Sequence, residues 1–143
     1  MAPADKVAIF RSSYSRCTLD PEFITTFHRI FITTSADALT HFSHIPEDRQ
    51  KKMLEYAIYL LMLSIDDNPD ANMCLEQLGT SHNTMSIKPD LYDHWLNSLV
   101  TAVENYDGKA HPEIGSIWRE VLAPGLELMK GQHTPGVKLK AIS

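Results

Sequence analysis

The sequence predicts an all-α domain, and three observations carry that prediction. Apolar residues recur at helical spacing, no run of alternating apolar and polar residues is long enough for a strand, and most prolines stand where a helix could open. A proline is tolerated in the first helical turn because its missing N–H would be unpaired there in any case. Asp20-Pro21 opens "PEFITTFHRIFITT", with Asp20 as the cap, and places Phe23, Phe27 and Phe31 four apart, flanked by Ile24 and His28. The long segment opened by Pro46 runs to about Ile65 and carries Gln50, Leu54, Ala57, Ile58, Leu61 and Ile65 on one face. Pro69 precedes "ANMCLEQLGTSH", Pro89 opens a segment striped by Leu91, Trp95, Leu99, Ala102 and Tyr106, and Pro112 opens "EIGSIWREVLAPGLELMK". In that last segment Pro124-Gly125 should kink or interrupt the helix, since Pro124 has no N–H for the carbonyl of Glu120. Six or seven helices result, forming one domain over residues 1–130, followed by a loosely ordered tail over residues 131–143.

Composition narrows the function classes. At 143 residues the chain suits one domain with a substantial core. Thirteen Lys and Arg against eighteen Asp and Glu give a net charge of −5, which argues against nucleic acid or an anionic membrane as the main partner. The longest apolar run, "AIYLLMLSI", falls well short of the roughly 20 residues that span a bilayer. The N-terminus carries no basic region followed by an apolar core, and Cys17 and Cys74 form no CxxC pair. The expectation is a cytoplasmic domain.

One polar residue on an apolar face raises a sharper question. Leu75, Leu78 and His82 are spaced i, i+3, i+7 and project from one side of a helix. An imidazole there is either a core histidine satisfied by a carbonyl or an axial metal ligand. In the second case its Nδ1–H would bond the carbonyl of Leu78 or the hydroxyl of Ser81, leaving Nε2 for the metal. Gln50 poses the same problem on the helix opened by Pro46, because a buried amide is unfavourable without partners. A histidine and a glutamine on two apolar faces suggest a planar ligand held between them.

The motif "LGTSHNTMSIKPDLYDHW" resembles the proximal half of the haem pocket of bacterial globins, where a histidine near a helix end is followed by I-x-P-x-x-Y opening the next helix. Here those residues are His82, Ile87, Pro89 and Tyr92. Upstream, "FHRIFITTSADALTHF" is similar to the family's second and third helices, ending at Phe42, the corner phenylalanine that stacks on haem. The 32 positions between Gln50 and His82 match the distal glutamine and proximal histidine of flavohaemoglobin globin domains. The resemblance covers about residues 4 to 130. It implies a globin fold holding haem b, with His82 as the proximal iron ligand, Gln50 distal, Leu54 one turn along the same wall, and Leu78, Ile87 and Tyr92 around the group. The haem would be non-covalent, since no CxxCH motif is present.

The chain also departs from that pattern. His28, 14 residues before Phe42, stands where bacterial globins usually carry tyrosine or an aliphatic residue. The expectation is that His28 and Gln50 form a distal hydrogen-bonding pair; a polar residue at the helix edge, or an iron-ligating His28, are the alternatives. Flavohaemoglobins hold the proximal histidine with a tyrosine and a glutamate. Tyr92 matches the tyrosine, but the glutamate position, about 15 residues after Trp118, falls on His133, and the nearest carboxylate is Glu127. Without that carboxylate the imidazole is less electron-donating, which disfavours peroxidase-like or efficient NO dioxygenase chemistry. The expectation is a single-domain globin without flavin or nicotinamide domains, for which turnover would need an external reductase. His41, His44, Arg49, Lys51 and Lys52 are candidate partners for a haem propionate. Asp66, Asn68 and Asp70 imitate a calcium loop but lack its turn glycine and bidentate glutamate, and read as a capped connector. The implied activity is reversible binding of O2, CO or NO, with NO consumption as a side activity. The rivals are a gas sensor acting on a partner in trans and a haem-free signalling module.

Overall fold

The computed structural model describes residues 4–109 and 111–134. They form seven helices: α1 (Ala4–Leu19), α2 (Glu22–Thr33), α3 (Ala36–Phe42), α4 (Glu47–Ser64), α5 (Pro69–Thr84), α6 (Pro89–Asp107) and α7 (Ile114–Lys130). No strand is present among the described residues. Nine of the tail residues, 135–143, lie outside the described set; residues 131–134 form a turn and a short extension after α7.

The punctuation in the sequence becomes capping chemistry. Asp20 Oδ1 accepts the backbone N–H of Glu22 at 2.9 Å ahead of α2. Ser35 caps α3 by accepting from Ala38 N. Asn68, in the stretch that imitates a calcium loop, is the cap of α5: its Oδ1 accepts from Asp70 N at 2.9 Å and Ala71 N at 3.1 Å. Pro69 and Pro89 occupy the first turns of α5 and α6. Of the kink or interruption expected at Pro124, the interruption does not occur: α7 runs through it to Lys130. Pro124 faces outward, while the neighbouring buried residues Leu122, Gly125 and Leu126 are held in the core. At Gly125 a Cβ would lie 2.6 Å from Leu61 Cδ2, so a larger residue there would have to displace the Leu61 side chain of α4. Tertiary packing thus overrides the missing hydrogen bond.

The core is continuous at the end of the molecule formed by α1, α2, α6 and α7. Trp118 is fully buried, meets Phe10 edge-on at 4.7 Å, and donates its indole N–H to Ser13 Oγ at 2.9 Å. Phe23 meets Tyr106 at 5.7 Å and Phe27 meets Trp95 at 5.5 Å, both edge-on. Arg16 of α1 binds Asp107 at the end of α6 through two parallel bonds of 2.7 and 2.8 Å. The hydrogen bond from Arg16 holds the Asp107 carboxyl below its ordinary pKa. Cys17 and Cys74 are both free thiols, and burial raises the Cys17 pKa to about 11.

Candidate functional site

At the other end the packing opens. A cavity lies between α4 on one side and α5 with the start of α6 on the other, closed below by α7. Of the residues singled out in the sequence, Phe42, Leu54, Leu78, His82, Ile87 and Tyr92 line it. His41 and Phe42 bound it at the α3 corner, Met53, Tyr56, Ala57 and Leu61 extend the α4 wall, and Leu126 and Met129 form its floor with Trp95 beside them. The lining is almost wholly apolar; His41, Tyr56, His82 and Tyr92 supply its polar groups.

The chain path after α5 explains how His82 and Ile87 share one wall. The end of α5 is closed by Met85 N–H on the carbonyls of Ser81 and His82, each at 3.1 Å, and by Ile87 N–H on the His82 carbonyl at 2.9 Å. That closure needs Ser86 in the left-handed region at φ 64°, a conformation that costs a non-glycine residue about 1 kcal/mol. It turns the chain back so that Ile87, 8% exposed, enters the cavity wall, and Pro89 then starts α6.

His82 is half-buried, and its ring makes one hydrogen bond among the described residues: Nδ1 to Tyr92 Oη at 3.0 Å. The partner is therefore neither the Leu78 carbonyl nor the Ser81 hydroxyl, the local bonds considered from sequence. Tyr92 comes from the next helix and sets the ring orientation from outside α5, its ring 5.7 Å away and tilted by 43°. Desolvation, and secondarily the proximity of His41, lowers the His82 pKa, so the neutral ligand form is favoured. Burial raises the Tyr92 pKa to about 12, so the phenol stays protonated. His82 Nε2 makes no hydrogen bond among the described residues. A half-buried neutral imidazole, oriented through one nitrogen and open at the other beside an apolar cavity, fits the donor that haem iron requires.

Glu127 is exposed and pairs with Lys130 at 3.4 Å. His133 is half-buried, with its Nδ1 buried and unpaired. His82 and Tyr92 thus have no carboxylate partner among the described residues.

His28 and Gln50 are brought together, yet neither lines the cavity. His28 Nε2 lies 2.6 Å from Gln50 Oε1, and Gln50 Nε2 donates to the carbonyls of Phe42 at 2.8 Å and Ile45 at 2.7 Å. The α4 surface on the cavity is instead set by Met53, Leu54, Ala57 and Leu61. Of the candidate cations at the corner, His41 turns inward, while His44, Arg49 and Lys52 are exposed and Lys51 pairs with Glu47 at 3.4 Å. Among the lining residues, Met53, Tyr56, Leu126 and Met129 carry no signal in the sequence reading, whereas His41 is one of its candidate propionate partners. Met53 is 42% exposed at the cavity edge, and α3, at seven residues, is too short for periodicity to orient His41.

An all-helical fold with a corner phenylalanine and an open histidine across an apolar cavity is the arrangement of globins. A family profile described as Globin matches residues 24–124, and the chain belongs to that family. Among solved structures it is similar to protein PA3967 from Pseudomonas aeruginosa PAO1, described as structurally highly homologous to a human hemoglobin. The two share 29% identity and a TM-score of 0.81, over 90% of this chain and 98% of that one. No curated protein sequence matches this chain. No helix among the described residues is long and apolar enough to cross a membrane.

Proposed function

We propose that this globin holds haem b non-covalently, with His82 as the axial ligand, and reversibly binds diatomic gases: O2, CO or NO. When bound, the haem supplies an iron centre with an open coordination position. The chain supplies the rest: His82 gives a neutral nitrogen, Tyr92 fixes that ring through Nδ1, and Phe42, Leu54, Leu78 and Ile87 exclude water from the cavity. The observation that carries this reading is His82 at the cavity wall, oriented through Nδ1 by Tyr92 and with Nε2 making no hydrogen bond among the described residues.

His41 is the best-placed side chain to meet a haem propionate, since it is the corner histidine that faces the cavity. The neutral Tyr92 hydroxyl is a weaker acceptor than a carboxylate, so the imidazole keeps little imidazolate character. That favours gas binding over oxidative turnover, and any NO consumption would depend on an external reductase.

The test is an absorption spectrum of the protein titrated with haem, reduced by dithionite, before and after CO. A single broad visible band on reduction, replaced by two bands and a sharp Soret with CO, is the expected result. Two sharp visible bands before CO would mean an internal sixth ligand and would move the reading toward sensing or electron transfer. No globin-like spectrum would leave the haem-free module.

A further inference from the structure

The polar cluster where α2, α3 and α4 meet lies outside the cavity, and its hydrogen bonds allow one arrangement. Gln50 Nε2 is 2.8 Å from the Phe42 carbonyl and 2.7 Å from the Ile45 carbonyl. Both partners can only accept, so the amide nitrogen must face them and Oε1 must face His28. His28 Nε2, 2.6 Å from that oxygen, therefore carries a proton. His28 and Gln50 are 8% and 9% exposed, where satisfied bonds are strong and lost ones are expensive.

The corner that Gln50 holds has little else to fix it. Ile45 N–H closes the turn on the Phe42 carbonyl at 2.9 Å, while Ser43, His44 and Pro46 are exposed. Phe42 itself is half-buried, with its ring edge-on to Phe31 at 5.6 Å and its other side on the cavity. We infer that His28 and Gln50 are positioning residues: through the carbonyls of Phe42 and Ile45 they lock the α3–α4 corner and so fix the Phe42 ring against the ligand cavity. The consequence for ligand retention rests on the haem reading above; the corner lock itself does not.

Two kinds of measurement separate those levels. On the protein without haem, nitrogen NMR of the His28 ring is expected to show a protonated Nε2. Gln50→Leu is expected to speed hydrogen exchange at the Ile45 amide about tenfold, the loss that a hydrogen bond or two produces. An Nδ1–H tautomer with bare Nε2, or unchanged Ile45 exchange, overturns the lock whether or not haem binds. On the haem-loaded protein, Gln50→Leu should release ferric haem to an acceptor apoglobin about tenfold faster while O2 dissociation stays within about twofold. His28→Leu should do less, and His28→Gln, which keeps a donor for Oε1, should restore most of the difference. The reverse pattern, fast O2 dissociation with unchanged haem loss, would place the Gln50 amide on the bound gas and overturn the proposal. A wild-type chain that takes up no haem would sink the haem reading and leave the exchange data to decide the lock.

Discussion

His82 and Gln50 enter on the same footing, each a polar residue on an otherwise apolar helical face, yet their surroundings differ. Gln50 commits Oε1 to His28 and Nε2 to two carbonyls, and faces a closed corner. His82 uses Nδ1 on Tyr92 and, beside a cavity, makes no hydrogen bond through Nε2 among the described residues. A polar side chain on an apolar face is a candidate ligand when it is oriented through one atom and keeps another open toward a cavity, as His82 does. When every atom is matched, such a side chain marks a structural joint.

Replacing His82 breaks that comparison most severely. His82→Ala should abolish stoichiometric haem uptake, read as loss of the Soret band in a haem titration, and free imidazole should restore it by filling the vacated position. If the variant bound haem with an unchanged spectrum, Nε2 would not be the ligand. A milder change sharpens the contrast by leaving the ligand in place and removing its orienting partner. Tyr92→Phe should lower haem affinity by about 10- to 100-fold, the range found when an outer-shell partner of a metal ligand is lost. Competition for haem against an apoglobin of known affinity measures it, and an unchanged value would mean that α5 alone orients the ring.

The Arg16–Asp107 pair is the control, because it is as well bonded as Gln50 but lies far from the cavity lining. Asp107→Asn should cost about 1–2 kcal/mol in urea unfolding at neutral pH, less than a fully buried charged bond because Arg16 is 44% exposed. Haem affinity should not change. The Asp107 pKa is lower in the fold than in the unfolded chain, so its contribution is present above the ordinary carboxylate pKa of about 4 and disappears as the pH falls through the lower folded value. The difference between wild type and variant should therefore narrow on acidification; a constant gap would mean that the carboxylate charge is not what stabilises the pair.

Much of the fold was legible because its determinants are local. Asp20, Ser35 and Asn68 cap helices through their own backbone neighbours, and prolines mark where α5 and α6 begin. Helix α7 was the exception: what carries it through Pro124 is the contact of Gly125 with Leu61, more than sixty positions away in the chain. At the site, the i, i+3, i+7 spacing brought out His82, and resemblance to bacterial globins supplied Ile87 and Tyr92. The partners of Gln50 could not be read in the same way. Gln50 shares its helical face with the lining residues Leu54, Ala57 and Leu61, but it stands in the first turn of α4, where its amide meets His28, Phe42 and Ile45 of the corner; periodicity gives the face and not those partners.

Gly79 sits on α5 three residues before His82, and a Cβ there would lie 2.6 Å from the Met129 carbonyl oxygen and 2.9 Å from its Cα. The backbones of α5 and α7 therefore bear directly on each other just behind the candidate ligand, with no side chain between them to act as a cushion. A side chain at position 79 would have to part the two helices, so the spacing between α5 and α7 behind His82 depends on the glycine.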